Sequence, residues 1–184
     1  QSVTFSPLNQ LDSWYMKNPP WKQTDRALNP NDHFLDQWQM LESRCREIIG
    51  WRMQLVPSLT AAFQRYADDG TPPFRALVLD TPKDKRLHQV DDQYMVGDRM
   101  MIAPLFAGEA SRKVLIPEGT WHDFWTGSPI HGGTDISIPS STENIPVYVK
   151  AGSVIPWAEV GLFAGAPETR QVSVRVYGDG SIPF

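Results

Sequence analysis

The sequence predicts an α+β protein: one long helix and a buried strand in the first half, then a sandwich of short antiparallel strands. Three observations predict it. Apolar residues recur at steps of three and four over 31–69, the period of a helix with one apolar face. A short, nearly continuous apolar run follows at 73–81 and reads as a buried strand. After about residue 98 the pattern changes to short runs of period two or high apolarity between turns, the texture of an all-β sandwich.

The first thirty residues have little periodicity, and Pro7, Pro19, Pro20 and Pro30 exclude a long helix there. Trp14, Tyr15 and Trp21 mark this stretch as a functional loop rather than a linker. For the helix, Asn29 is a cap, Pro30 suits the first helical position and Asp32 complements the helix dipole. Leu35, Trp38, Leu41, Cys45 and Ile48 or Ile49 form its stripe, continued by Leu55, Leu59, Ala62 or Phe63, and Tyr66. Pro57 is expected to kink or split it, and Gly70 to end it. The run from Arg75 to Asp80 lies between prolines at 72, 73 and 82. A long helix followed by a buried strand is half of a βαβ unit. Strands are expected at 100–103, 113–116, 121–125, 135–138, 147–150 and 172–177, with turns at 117–119, 127–129, 132–133 and 139–141. There is no internal repeat and no low-complexity tract.

The 184 residues make one large domain or two small ones, and 41% hydrophobic with 21% charged residues is an ordinary globular composition. Net charge is −4 and no Lys/Arg run exceeds two residues, so nucleic acid and polybasic membrane binding have no electrostatic footprint. No apolar run is long enough to span a bilayer. Cys45 stands alone, which excludes an intrachain disulfide and a cysteine-rich zinc site; it reads as a small core residue, and the compartment is left open. The chain begins at Gln1 without Met or signal peptide, and 177–183 read as a turn entering another strand. The chain is therefore expected to be a piece of a longer protein, truncated at its C-terminus.

Five stretches, in order, resemble the C-terminal region of glycoside hydrolase family 31, the family of α-glucosidases and α-xylosidases. Asp92-Gln93-Tyr94-Met95-Val96-Gly97 resembles its "DQ-aromatic-x-x-G" segment, and Met101-Ile102-Ala103-Pro104 its "L-V-A-P" strand. The run from Val114 to Gly127 resembles "V-Y-L-P-x-G-x-W-Y-D-F-W-T-G". Gly132-Gly133 resembles its paired glycines, and the run from Ile145 to Pro156 resembles "I-P-x-F-V-R-A-G-S-I-I-P". More loosely, the run from Gly50 to Pro57 resembles "L-R-Y-x-L-L-P-Y", and that from Gly70 to Leu77 "G-x-P-x-x-R-P-L". The resemblance implies that residues 1–88 are the C-terminal part of a catalytic (β/α)8 barrel. The helix would lie outside it and 74–80 would close it as the last strand. Residues 89–184 would be the sandwich domain.

The implied activity is retaining hydrolysis of α-linked oligosaccharides, which needs two carboxyl groups roughly 5 Å apart. The family's motifs for both have no match here, so no residue of this chain is assigned a catalytic role. The acid pairs Asp68-Asp69 and Asp91-Asp92, and Asp123, read as solvated loops or caps. In the family a segment resembling "F-x-P-F-x-R-x-H" carries a His that hydrogen-bonds the sugar, and the matching stretch here begins at Phe5 and Pro7. Gln10 replaces the Arg and Asp12 falls at the His. A His can donate to sugar oxygens, whereas an ionised Asp only accepts. That departure points away from plain glucose specificity, toward another hydroxyl arrangement or an amino or acylamino substituent. Asp12, Gln10 and Trp14 are thus the candidate substrate-binding residues. Trp14, Tyr15 and Trp21 either stack on sugar faces or pack the loop against the barrel.

Elsewhere the bland reading leads. Trp121 and Trp125 are read as sandwich core, Trp38 and Trp51 as helix packing, and Arg75 as a structural ion pair. His33, His88, His122 and His131 have no metal-ligand spacing and read as surface or turn residues. No phosphate-binding loop or nucleophile elbow is present, and no cofactor or metal is implied. The alternative function is a non-catalytic carbohydrate-binding or structural sandwich module, which predicts exposed Trp121 or Trp125 on a sheet face. The expected partners are an oligosaccharide and the remainder of the barrel, and self-association is a second way to cover the sheet edge and apolar surface left open.

Overall fold

In a computed structural model of the protein, the described residues are 2–6, 37–106, 108–141, 144–161 and 171–178. They form three helical segments, α1 (Ser2–Phe5), α2 (Trp38–Asp69) and α3 (Leu77–Asp80), a 3-10 turn at Lys85–Leu87, and ten strands. The strands are β1 (Phe74–Ala76), β2 (Tyr94–Val96), β3 (Met100–Ile102), β4 (Ser111–Leu115), β5 (Thr120–Asp123), β6 (Pro129–His131), β7 (Asp135–Pro139), β8 (Val147–Lys150), β9 (Ser153–Ala158) and β10 (Val172–Tyr177).

The central six-stranded sheet runs β1-β2-β3-β8-β5-β6, antiparallel throughout. Successive side chains of a strand point to opposite faces, and here both faces are covered. Val96, Met100, Ile102, Val147 and Val149 point one way, onto Leu55 and Leu59 of α2 and Ile155, Trp157 and Tyr177 of the β9–β10 pair. Met95, Met101, Trp121 and Tyr148 point the other way, onto Val114 and Ile116 near the β4–β7 ribbon and onto Leu77 and Leu87. Burial on both faces is why 100–102 and 147–149 read as continuous apolar runs rather than alternating ones.

α2 buries Leu55, Leu59 and Ala62, spaced by four and three, and packs this face on β9. Gly70 ends it in the left-handed region at φ 78°, its N–H bonding the Tyr66 carbonyl at 3.0 Å. Of the kink or split expected at Pro57, the split is corrected, since Pro57 sits inside one continuous helix; Cys45, expected in the core, is only half-buried. The expected cap at Asn29 and Pro30 lies outside the described residues.

The expected strand at 73–81 is also corrected. β1 has three residues, and the chain then turns through α3, bringing Asp80 back to Arg75. An extended chain would carry residue i+5 roughly 16 Å away. In the structure Arg75 Nε and Nη2 reach the two Asp80 carboxylate oxygens at 2.5 and 3.0 Å. β1 pairs with β2 at the edge of the six-stranded sheet, Phe74 opposite Val96. β2, β6 and β9 were not anticipated, and β6 begins at Pro129, where a turn was expected.

Candidate functional site

The described residues that precede the stretch with Trp14, Tyr15 and Trp21 in the sequence are α1 and Ser6, and they are held in place by side chains from two other elements. Thr4 and Phe5 are buried, and Thr4 Oγ1 donates to the Ile48 carbonyl of α2 at 3.1 Å. The Tyr94 hydroxyl of β2 donates to the Phe5 carbonyl at 2.8 Å. Arg52 of α2 donates through Nη1 to the carbonyls of Thr4, at 3.3 Å, and Ser6. Three successive carbonyls are thus bound by a guanidinium and a phenol. Burial pushes the Tyr94 hydroxyl up to about 12, so it remains a donor across the ordinary pH range. Burial lowers the Arg52 pKa, but an arginine stays protonated near neutral pH.

A second cluster lies where α2, β1 and the β2–β3 turn meet, beside a cleft of about 280 Å³ lined by Ser58, Arg65, Arg75, Asp98, Arg99 and Ile155 among others. Arg75 is only 8% exposed, and besides Asp80 it contacts Asp98 at 3.0 Å and the Pro72 carbonyl at 3.1 Å. Arg65 pairs with the other oxygen of Asp98, and Lys150 Nζ lies 3.3 Å from Asp80. Burial alone would lower the Arg75 pKa, but Asp80 and Asp98 overcome it and hold it above its usual value. Partial burial would raise the Asp98 carboxyl, and the hydrogen bonds and charges of Arg65 and Arg75 hold it below its usual value instead. The network ties α2, β1, α3, the β2–β3 turn and β8 together, the structural role expected of Arg75.

Asp12, Gln10 and Trp14 lie outside the described residues, as do Tyr15, Trp21 and His33. Asp123 caps a turn as expected: Oδ1 accepts from the Trp125 and Thr126 N–H groups at 2.9 and 2.8 Å. Asp69 accepts from Thr71 N–H at 2.8 Å and pairs with Arg65, and Asp92 pairs with Arg112. Trp121 is buried, with Nε1 on the Pro117 carbonyl at 3.0 Å. Trp125 is corrected: it sits in the turn after β5, not on the strand, with Trp51 at 4.5 Å and Nε1 on the Ile145 carbonyl at 2.7 Å. Trp121 offers no open face to a sugar, and Trp125 is half-buried. His122 is corrected as well, being buried with Nδ1 3.0 Å from the Gly127 carbonyl, whereas His88 and His131 are exposed. Among the described residues no three His, Cys, Asp or Glu side chains group as a metal site, and no helix is long and apolar enough to cross a membrane.

Sequence reasoning gave Arg52 and Tyr94 no role, although both fall in stretches that carry the family resemblance. The available signal was a polar group inside an apolar run, in Gly50-Trp51-Arg52-Met53 and Gln93-Tyr94-Met95-Val96.

Comparison with known proteins agrees with this architecture. Residues 70–155 match the model of the glycosyl hydrolase family 31 C-terminal domain. The chain is 38% identical over 106 residues to an isomaltosyltransferase of Sporosarcina globispora, covering 57% of this chain and 10% of the relative. It is 31% identical over 115 residues to an alpha-glucosidase of Saccharolobus solfataricus, covering 62% and 16%. Among solved structures it is similar to a family 31 dextranase of Flavobacterium johnsoniae in complex with isomaltotriose, with a TM-score of 0.71 and 29% identity over 77% of this chain and 18% of that one. The chain therefore spans less than a fifth of the length of each of these proteins, and residues 70–155 form the C-terminal domain of glycosyl hydrolase family 31.

Proposed function

We propose that this chain, carrying a family 31 C-terminal domain, is part of a retaining α-glycosidase that hydrolyses O-glycosidic bonds of α-linked oligosaccharides. The match over residues 70–155 carries the reading. The small share of each relative that the chain spans supports placing the two catalytic carboxylates elsewhere in the full polypeptide. In this reading residues 1–88 belong mainly to the barrel and 89–184 to the sandwich. The pairing of β1 with β2 favours assigning residues 74–76 to the sandwich side.

Within that enzyme, Asp12 accepts hydrogen bonds from the non-reducing sugar, Gln10 adds a neutral donor and acceptor, and Trp14 stacks on an apolar pyranose face. A carboxylate where the family has an imidazole selects a sugar whose hydroxyl, amino or acylamino group donates at that point. The buried Trp121, with the half-buried Trp125 packed on Trp51, weighs against a sandwich-face binding module. In the full-length enzyme Asp12→Ala is expected to lower kcat/KM at least tenfold, about 1.4 kcal/mol or more of transition-state stabilisation. An unchanged kcat/KM would remove Asp12 from the site.

A further inference from the structure

We propose that β10 is the contact by which two copies of this chain associate, its outer edge pairing antiparallel with the same edge of a second copy about a two-fold axis at Val174. The proposal is independent of the activity proposed above. The geometry of the β9–β10 ribbon carries it. Val172 stands opposite Ala158, Val174 opposite Pro156 and Val176 opposite Val154. In an antiparallel pair, successive residues of a strand alternate between bonding the neighbour and pointing away from it. The Glu159 N–H bonds the Gln171 carbonyl at 2.9 Å, so in this register Gln171, Ser173, Arg175 and Tyr177 are the residues that bond β9. The even residues of β9 agree: the Pro156 carbonyl accepts from Ser58 Oγ of α2 at 3.4 Å, and the Val154 carbonyl accepts from Arg99. The N–H and C=O groups of Val172, Val174 and Val176 therefore line the outer edge of β10. Among the described residues no strand pairs with that edge.

The same three valines share one face of the strand, and each is about half exposed. The opposite face of β10 is committed to the core. The Arg175 guanidinium carbon lies 3.9 Å from the centre of the Trp157 ring, and the buried Tyr177 donates its hydroxyl to the Phe124 carbonyl at 2.8 Å. The edge is thus firmly mounted. Exposed edges are ordinarily guarded by a lysine, a proline or a bulge. β10 reads Val-Ser-Val-Arg-Val-Tyr in unbroken register, and its one charge is turned onto Trp157. The strand also complements itself. A two-fold axis at Val174 sets Val174 against its own copy and Val172 against Val176 of the partner subunit. Each such pair can exchange both backbone hydrogen bonds, and all the valines fall on one face. On the other face Arg175 stands opposite Ser173 of the partner subunit, so no like charges meet. Such a self-complementary two-fold contact closes on itself as a dimer.

The test uses the full-length polypeptide in sedimentation over a range of concentrations. The mass of the parent is expected to rise from one chain to two. Val174→Lys sets like charges opposite each other at the axis and is expected to move that rise about tenfold or more up in concentration. Cross-linking in a Cys45→Ser background tests the register. Val174→Cys is expected to form a disulfide-linked dimer under mild oxidation, since Cα atoms of a hydrogen-bonded pair stand about 5.5 Å apart, within reach of a disulfide. Val172→Cys is not, since its own copy would lie four residues along, roughly 13 Å away. A monomer at every concentration overturns the proposal, and slow exchange of the Val172, Val174 and Val176 amides in that monomer would give the edge to another strand of the same polypeptide. Association that Val174→Lys leaves unchanged, or equal cross-linking at 172 and 174, overturns it too.

Discussion

Asp98 shows how a single carboxylate links three elements, because Arg65 of α2 and Arg75 of β1 both close on it from the β2–β3 turn. Its pKa is held down in the folded state, whereas an unfolded Asp titrates near 3.9. The folded state thus binds this proton less readily, and the stabilisation is present above about pH 4 and lost as pH falls through the lower folded value. Asp98→Asn is expected to flatten the loss of Tm between about pH 5 and pH 3, and a parent and variant with parallel acid profiles would contradict this. The side chain is 43% exposed, so solvent screening keeps the effect modest. Tyr94 gives the opposite sign. Its pKa is raised by burial, so its stabilising share is present below about pH 10 and lost as pH rises toward about 12. Gly132 is constrained by space: a Cβ there would stand 1.9 Å from the Pro117 carbonyl oxygen and 2.6 Å from that of Gly119. Gly132→Ala must push the Pro117–Gly119 turn away, and a loss of about 1–3 kcal/mol in denaturant unfolding is expected.

At the level of elements, legibility followed the period of the pattern. α2 was readable because Leu55, Leu59 and Ala62 repeat at helical spacing and Gly70 ends the run. β10 was readable because its residues alternate, and β8 because Val147-Tyr148-Val149 is a short apolar run between turns. Leu77-Val78-Leu79 was misread because a short apolar run fits a strand or a helical turn equally. The deciding contact, Arg75 to Asp80, spans only five residues, but the apolar pattern between them carries no sign of it. The contacts of Arg52 and Tyr94 were illegible for a different reason, since their acceptors lie 46 to 89 residues away in sequence. The helix-to-sheet contact should dominate stability. Leu55 is fully buried in the core that joins α2 to the sheet, and Leu55→Ala is expected to cost about 2–5 kcal/mol in denaturant unfolding. A cost near zero would mean that α2 is not docked on β9 as described.

At the level of the whole molecule, several large apolar side chains are exposed among the described residues. Val172, Val174 and Val176 of β10 are each about half exposed, and Met40, Leu41, Ile49, Phe63 and Tyr66 of α2 are exposed too. Surfaces of this kind associate, so the isolated 184-residue chain is expected to show a mass that rises with concentration in sedimentation, and Val174→Lys to reduce it. A monomer at every concentration would contradict this. The proposed function makes the chain part of an α-glycosidase whose sugar preference is set partly at Asp12. Hydrolysis of aryl α-glucoside, α-xyloside, α-galactoside and α-N-acetylgalactosaminide by the full-length polypeptide, with and without Asp12→Ala, tests that proposal. Cleavage of at least one is expected, best on a sugar other than glucose, with a loss of at least tenfold in the variant. No cleavage of any, or a variant that matches the parent on its best substrate, would contradict it.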